Sequence, residues 1–168
     1  MRVAVTGTPG TGKTTAVEMM ETSLAVRHIN ELIKEEGLST GRDEQRDTLV
    51  ADVDALEDRL ADRDDVLFES HLAHLLDADR VVVLRCRPDI VEQRLVERGE
   101  SEASAAENAE SEALDLILSA AVQRHGEESV YEIETTDQTP AETAAAIEAV
   151  VAGEREPSAG TVSYVDYL

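Results

Sequence analysis

Three groups of residues in this sequence have the types and spacing to act on a phosphate chain. The first is Gly7-Thr8-Pro9-Gly10-Thr11-Gly12-Lys13-Thr14, which meets the P-loop pattern G-x-x-x-x-G-K-[ST] at every fixed position. Gly7, Gly10 and Gly12 let the backbone fold back with its N–H groups pointing inward, so that phosphates rest in a nest at the positive end of the helix that follows. Lys13 then reaches the β- and γ-phosphate oxygens, and the Thr14 hydroxyl suits a magnesium ligand. Gly10, Gly12, Lys13, Thr14 and Thr15 are the expected contacts of the donor nucleotide. The bland alternative is a glycine turn that only joins strand to helix.

The second group is Glu69 and His71, two residues apart after an apolar run. A carboxylate there can hold magnesium directly or through water, or orient a nucleophile. His71 can polarise a water or hold a phosphate. A salt-bridged strand end and a packing or capping histidine are the structural alternatives. The third group is Arg94 and Arg98, four residues apart and so on one face of a helix. Such a pair can clamp a transferring phosphoryl group and neutralise its developing charge, or form a solvated face with Glu92 and Glu97. Lys34 and Arg42 are candidates for the phosphate of an acceptor nucleotide or are plain surface charge. His28, His74 and His125 show no mutual metal spacing and read as structural or surface residues.

The elements that must position these groups follow from apolar patterning. Arg2 to Thr6 reads as a buried strand running into the glycine loop, with a helix after it. Ala25 to Asn30 reads as a second strand, with Asn30 capping a helix that Gly37 ends. Ser39 to Asp43 is turn-like, and the spacing Leu49, Val53, Leu56, Leu60 predicts a helix that Thr48 can cap. Further strands are expected at Asp65 to His71, Arg80 to Arg85 and Ser129 to Ile133. Pro88 opens a helix closed by Gly99, and residues 100 to 124 read as one more helical stretch with Leu114, Ile117, Leu118 and Val122 as its apolar stripe. Thr139 followed by Pro140 is a strong helix start. Residues 153 to 168 form a polar linker and a short apolar end. Continuous apolar strands alternating with helices give an α/β class: a P-loop three-layer sandwich around a five-stranded parallel sheet.

Composition bounds the rest. At 168 residues the chain suits one domain, and with aromatics at 2% its core must be built from Val, Leu, Ile and Ala. No apolar run approaches the roughly 20 residues of a membrane span, and the N-terminus does not read as a signal peptide, so a cytoplasmic location is expected. Cys86 is the sole cysteine, which rules out an internal disulfide and cysteine-based zinc clusters; it reads as a small buried thiol. The net charge is −22, with only two lysines, Lys13 and Lys34. That balance is expected of a halophile's cytosolic protein, because at about 1 M salt the Debye length falls to about 3 Å and self-repulsion is screened. An acidic protein of ordinary habitat is the alternative. Residues 100 to 168 carry 16 acids against Arg124 and Arg155, so no basic stripe for tight direct nucleic-acid binding is present there.

Taken together, the loop, the Glu69-Ser70-His71 step, Val83-Leu84-Arg85-Cys86 and Arg94-Leu95-Val96-Glu97-Arg98-Gly99 resemble the small nucleoside monophosphate kinases of the adenylate kinase isoenzyme six type, in archaeal form. Glu107-Asn108, Glu112 and the terminal Val165-Asp166-Tyr167-Leu168 extend the likeness, which covers most of residues 1 to 152. The resemblance implies a nucleoside monophosphate kinase fold with inserts: an acceptor-binding region over about 28–51, a lid over about 97–107 and a C-terminal tail over 153–168. It implies transfer of the ATP γ-phosphoryl group to AMP or a related monophosphate with Mg²⁺, a weaker ATPase, and Arg98 as the lid arginine on ATP. It further implies a role in small-subunit ribosome maturation through a basic platform ribosomal protein. Two positions depart from related nuclear proteins: Glu69 stands where they have Asp, and Glu100 where an aromatic commonly follows the Arg-Gly pair. On this reading the output is either phosphoryl transfer to a nucleotide, ATP hydrolysis by an assembly factor, or phosphorylation of another small metabolite.

Overall fold

The computed structural model describes residues 1–44 and 48–168, with Thr48 described by its backbone alone. Five short apolar runs become strands β1 (Arg2–Thr6), β2 (Ala25–His28), β5 (Val66–Glu69), β6 (Arg80–Arg85) and β7 (Val130–Glu134). They form one parallel sheet in the order β2-β5-β1-β6-β7. Seven helices connect them among the described residues: α1 (Lys13–Glu18), α2 (Ile29–Glu36), α3 (Val53–Leu60), α4 (Pro88–Glu97), α5 (Glu102–Ala113), α6 (Leu116–His125) and α7 (Pro140–Val151). Because side chains alternate along a strand, β1, β5, β6 and β7 each feed two cores. Ala4, Phe68, Val81, Val83 and Val130 face Ile29, Ile33, Leu56, Leu60 and Leu118 on one side. Val3, Val5, Leu67, Val82, Leu84 and Ile133 face Val17, Ile147 and Val150 on the other. The expected three layers and five-stranded parallel sheet are thus present. A smaller cluster of Cys86, Val91, Leu95 and Ala105 fastens α4 to α5, and Cys86 is fully buried.

Three local readings are corrected. Ser39–Asp43 and Thr48–Ala51 are not turn and helix start but strands β3 and β4, paired antiparallel as a small second sheet. The helix begins only at Val53, with the Asp52 carboxylate accepting from the Ala55 N–H in place of a Thr48 cap. Asn30 does not cap α2, which starts one residue earlier; its side chain instead accepts from the Ser70 hydroxyl at 2.9 Å. The stretch 100 to 124 is broken into α5 and α6 at Asp115, a non-glycine residue at φ 55°, and Leu114 is exposed, leaving Leu118 as the buried member of the stripe. Gly37, Gly99 and the Thr139-Pro140 start behave as read. The region 28–51 comprises α2 and the β3-β4 hairpin, although residues 45–47 lie outside the described ones.

Candidate functional site

All five strands run in one direction, so their carboxyl ends meet at one edge, where open α/β sheets take their ligands. At the end of β1 the chain turns through Gly7 to Gly12 into α1. Gly7 has φ +147°, and a Cβ there would lie 2.7 Å from the Leu84 carbonyl oxygen and 2.9 Å from Thr11 Oγ1, so no other residue fits. Gly12, at φ +91°, caps α1 and has nothing within 4 Å of a would-be Cβ: the loop's mouth is open where a phosphate would approach.

Lys13 is buried beneath this loop, its ammonium donating to the carbonyls of Gly7 at 2.9 Å and Thr8 at 3.1 Å. Burial pushes its pKa down to about 8, with Glu69 and Glu112 opposing the shift and Arg98 adding to it. Thr14 donates from its hydroxyl to Glu69 Oε1 at 3.2 Å. The other oxygen of Glu69 accepts from His28 Nδ1 at 2.8 Å. Arg94 donates to the Gly10 carbonyl at 3.1 Å, so it already touches the loop. Arg98 caps the end of α4 with its side chain exposed, and it borders an open cleft of about 410 Å³ together with Gly10, Gly12, Thr15, Thr135 and Gln138.

His71 lies near Lys13 and Glu69. Burial first, then the neighbouring Lys13 charge, push its pKa down to about 4, so at neutral pH it is an uncharged ring able to donate one hydrogen bond but not to offer a positive charge to a phosphate. His74 and His125 are structural, as read: His74 bonds to Thr6 Oγ1 at 2.9 Å, and His125 Nε2 donates to the His74 carbonyl at 2.8 Å. His28, read likewise as a structural or surface residue, is half-buried and pairs with Glu69. No spacing rule reveals this, since the two residues are 41 apart; only the pairing of β2 beside β5 brings them together. Lys34 lies exposed on α2, and Arg42 on β3. Arg85 and Glu112, both among the residues that carry the family likeness, form a buried pair that no spacing announces, and Glu112 reaches Thr8 of the loop.

The oxygen pair of Thr14 and Glu69 suits a hard cation such as Mg²⁺, which takes one or two protein oxygens and completes its shell with water and phosphate. Among the described residues no group of three or more His, Cys, Asp or Glu forms a metal cage. No described helix is long and apolar enough to cross a membrane.

A glycine loop between the first strand and first helix of such a sheet, with a buried lysine and a strand-end carboxylate beside it, defines a P-loop protein of the kinase fold. Residues 3–115 match the family model described as an AAA domain, and the chain belongs to that family. It is similar along its whole length, and theirs, to proteins named "Putative adenylate kinase" from Natronomonas pharaonis, at 67% identity, and Halobacterium salinarum, at 60%. A protein of the same name from Methanosarcina acetivorans is 42% identical over 90% of this chain and 86% of its own. Among solved structures, shikimate kinase from Bacteroides thetaiotaomicron aligns with TM-score 0.61, covering 91% of this chain and 98% of that one, at 16% identity, a likeness of fold.

Proposed function

We propose that the protein is an adenylate kinase, moving the terminal phosphoryl group of ATP to AMP or a related nucleoside monophosphate. The observation that carries this reading is the convergence of Lys13, the Thr14 and Glu69 pair and Arg94 on one open loop mouth. Full-length similarity to proteins bearing that name supports it.

In this reading the loop N–H groups and Lys13 hold the β- and γ-phosphates, and Lys13 exchanges its two carbonyl partners for phosphate oxygens. Thr14 and Glu69 would hold Mg²⁺, directly or through water, and the ion would supply neutralising charge to the phosphates. Arg94, anchored at Gly10, and Arg98, beside the cleft, approach the transferred group from the α4 side and offset the charge that spreads over its oxygens. His71 donates a hydrogen bond to the acceptor phosphate or its water. The donor base occupies the cleft beside Thr135 and Gln138, and the acceptor lies toward α2 and the β3-β4 hairpin over 28–51. Closure of the 97–107 segment excludes water, the competing acceptor.

Where water takes the acceptor's place the same residues hydrolyse ATP. Mixing the protein with ATP, Mg²⁺ and each monophosphate in about 2 M KCl, where its self-repulsion is screened, and following nucleotides by chromatography separates the outcomes. ADP formation that depends on AMP supports the kinase. ADP and inorganic phosphate released equally without AMP assign an ATPase, and the assembly role with a basic ribosomal protein then becomes the reading to test by pull-down at high salt. Absence of any nucleotide turnover would sink both.

A further inference from the structure

Arg85 ends the apolar strand β6 and is 1% exposed, a position that a guanidinium occupies only if its donors are satisfied and its charge is balanced. Three carboxylates do this. Its Nε donates to Glu112 Oε1 at 2.9 Å, Nη1 to Glu132 Oε2 at 2.9 Å, and Nη2 to Asp115 and to the Glu112 carbonyl. Burial alone would lower its pKa, but Glu112, through charge and hydrogen bond, and Asp115 hold it above the ordinary guanidinium value.

Each end of this cluster continues outward. Toward the site, Glu112 Oε1 also accepts from the Cys86 N–H at 3.0 Å, while Oε2 accepts from the Thr8 hydroxyl at 2.6 Å. Thr8 is 2% exposed, and its carbonyl is a resting partner of Lys13 as well as the acceptor for Thr11 Oγ1. One carboxylate on α5 therefore grips the nucleotide loop by a side chain whose own backbone grips Lys13. Away from the site, Glu132 Oε1 accepts from the Gly160 and Thr161 N–H groups of the C-terminal segment. Ser158 adds that segment to the edge strand β7, its N–H donating to the Val130 carbonyl and its hydroxyl accepting from the Glu132 N–H. Tyr164, 5% exposed, lays its ring 5.3 Å from the Arg85 guanidinium carbon. Every member has its partners, so moving any one leaves a buried polar group unpaired.

We propose that Glu112 is a positioning residue for the P-loop, and that the C-terminal segment from Ser158 to Tyr164 acts on the loop through Glu132, Arg85 and Glu112. The inference rests on nucleotide binding at Gly7 to Thr14, as assigned above, but not on which acceptor is used. The tail is thereby part of the nucleotide site, at a distance, and α5 and the tail share one buried charge cluster whose geometry sets the loop's shape. Glu112 touches no phosphate in this scheme; it works by holding Thr8.

ATP affinity measured by calorimetry in molar KCl tests this directly, because it is read without turnover. Thr8→Val, which removes the hydroxyl at nearly constant volume, and Glu112→Gln should each weaken ATP binding about tenfold, and the double variant should be no weaker than the poorer single one, as for two residues that act through one contact. Thr8→Ser should restore binding. Glu132→Gln can satisfy the tail or Arg85 with its single oxygen but not both, and it and Tyr164→Leu should each weaken binding about threefold in the natural background and not at all on Thr8→Val. Should Glu112→Gln fail to fold by circular dichroism, Thr8→Val against Thr8→Ser decides the loop contact. Singles within twofold of the natural protein, or effects that simply add, overturn the proposal. A natural protein that binds ATP with this pattern yet transfers nothing to AMP would remove the kinase reading and leave the positioning inference standing.

Discussion

His28 Nδ1 lies 2.8 Å from Glu69 Oε2, and the two residues are register partners on the neighbouring parallel strands β2 and β5. The carboxylate is thereby fixed with its other oxygen toward Thr14. Removing a group that orients a metal-site ligand typically costs ten- to a hundredfold in metal affinity. His28→Ala is expected to raise the Mg²⁺ concentration for half-maximal transfer about tenfold while circular dichroism stays native. An unchanged Mg²⁺ requirement would show that Glu69 is held without it.

Lys13 supplies the charge at the centre of the loop. Lys13→Ala should reduce ADP formation from ATP and AMP at least about a hundredfold, the scale of losing one preorganised transition-state contact. The melting profile in molar KCl should be retained, since among the described residues the ammonium donates to loop carbonyls alone. Activity near the natural level in this variant would remove the assignment.

His74, 5% exposed, has its pKa pushed down to about 4, chiefly by burial and then by the charges of its neighbours His71, His125 and Arg124. The folded state holds it neutral while the unfolded chain takes up a proton below about 6.5. Its contribution is therefore complete above pH 6.5 and is lost as pH falls from 6.5 to about 4. At about 1.4 kcal/mol per pH unit this is on the order of 3 kcal/mol. Denaturant titrations across that window should show stability falling toward acid, and His74→Gln should lessen the slope, with His71 keeping its own share. An equal slope in the variant would assign the loss elsewhere.

Breaking the buried cluster by Arg85→Met should cost about 3–5 kcal/mol, because Glu112 and Glu132, buried on either side of it, lose their counter-ion together. The measurement is the denaturation midpoint in molar KCl. A loss below about 1 kcal/mol, the worth of an exposed ion pair, would contradict the burial argument.

The chain carries net charge −22, and relatives at 60 to 67% identity come from Natronomonas and Halobacterium. Structure is expected to be lost in dilute buffer and regained in molar KCl, where the Debye length is about 3 Å. Full, stable folding by circular dichroism without salt would refute a halophilic design.

What the sequence made legible is what burial writes into it. Val81 to Leu84 and Val66 to Phe68 are buried on both faces and read as unbroken apolar runs, and the glycine loop is a local motif whose geometry needs no distant residue. The β3-β4 hairpin escaped because Ser39 to Asp43 is largely exposed and polar, so its pairing leaves no alternation to read. The break between α5 and α6 escaped for a different reason. Asp115 adopts a left-handed backbone with its carboxylate on Arg85, a partner 30 positions away, and no local pattern announces that. The contact of His28 with Glu69 is hidden in the same way, since it exists only once β2 is placed beside β5. Arg85 did leave a sign: a charge closing a run of valines demands buried partners.

Lys13 is held by two carbonyls of its own loop. A buried ammonium without acceptors would lack the solvation that water gives it, and these two oxygens supply it before any ligand arrives. Phosphate oxygens entering the nest would carry charge where the carbonyls are neutral, so each hydrogen bond exchanged would be the stronger for it. The resting loop thus shelters its own cation, and filling the nest would release two backbone carbonyls that must then find other donors.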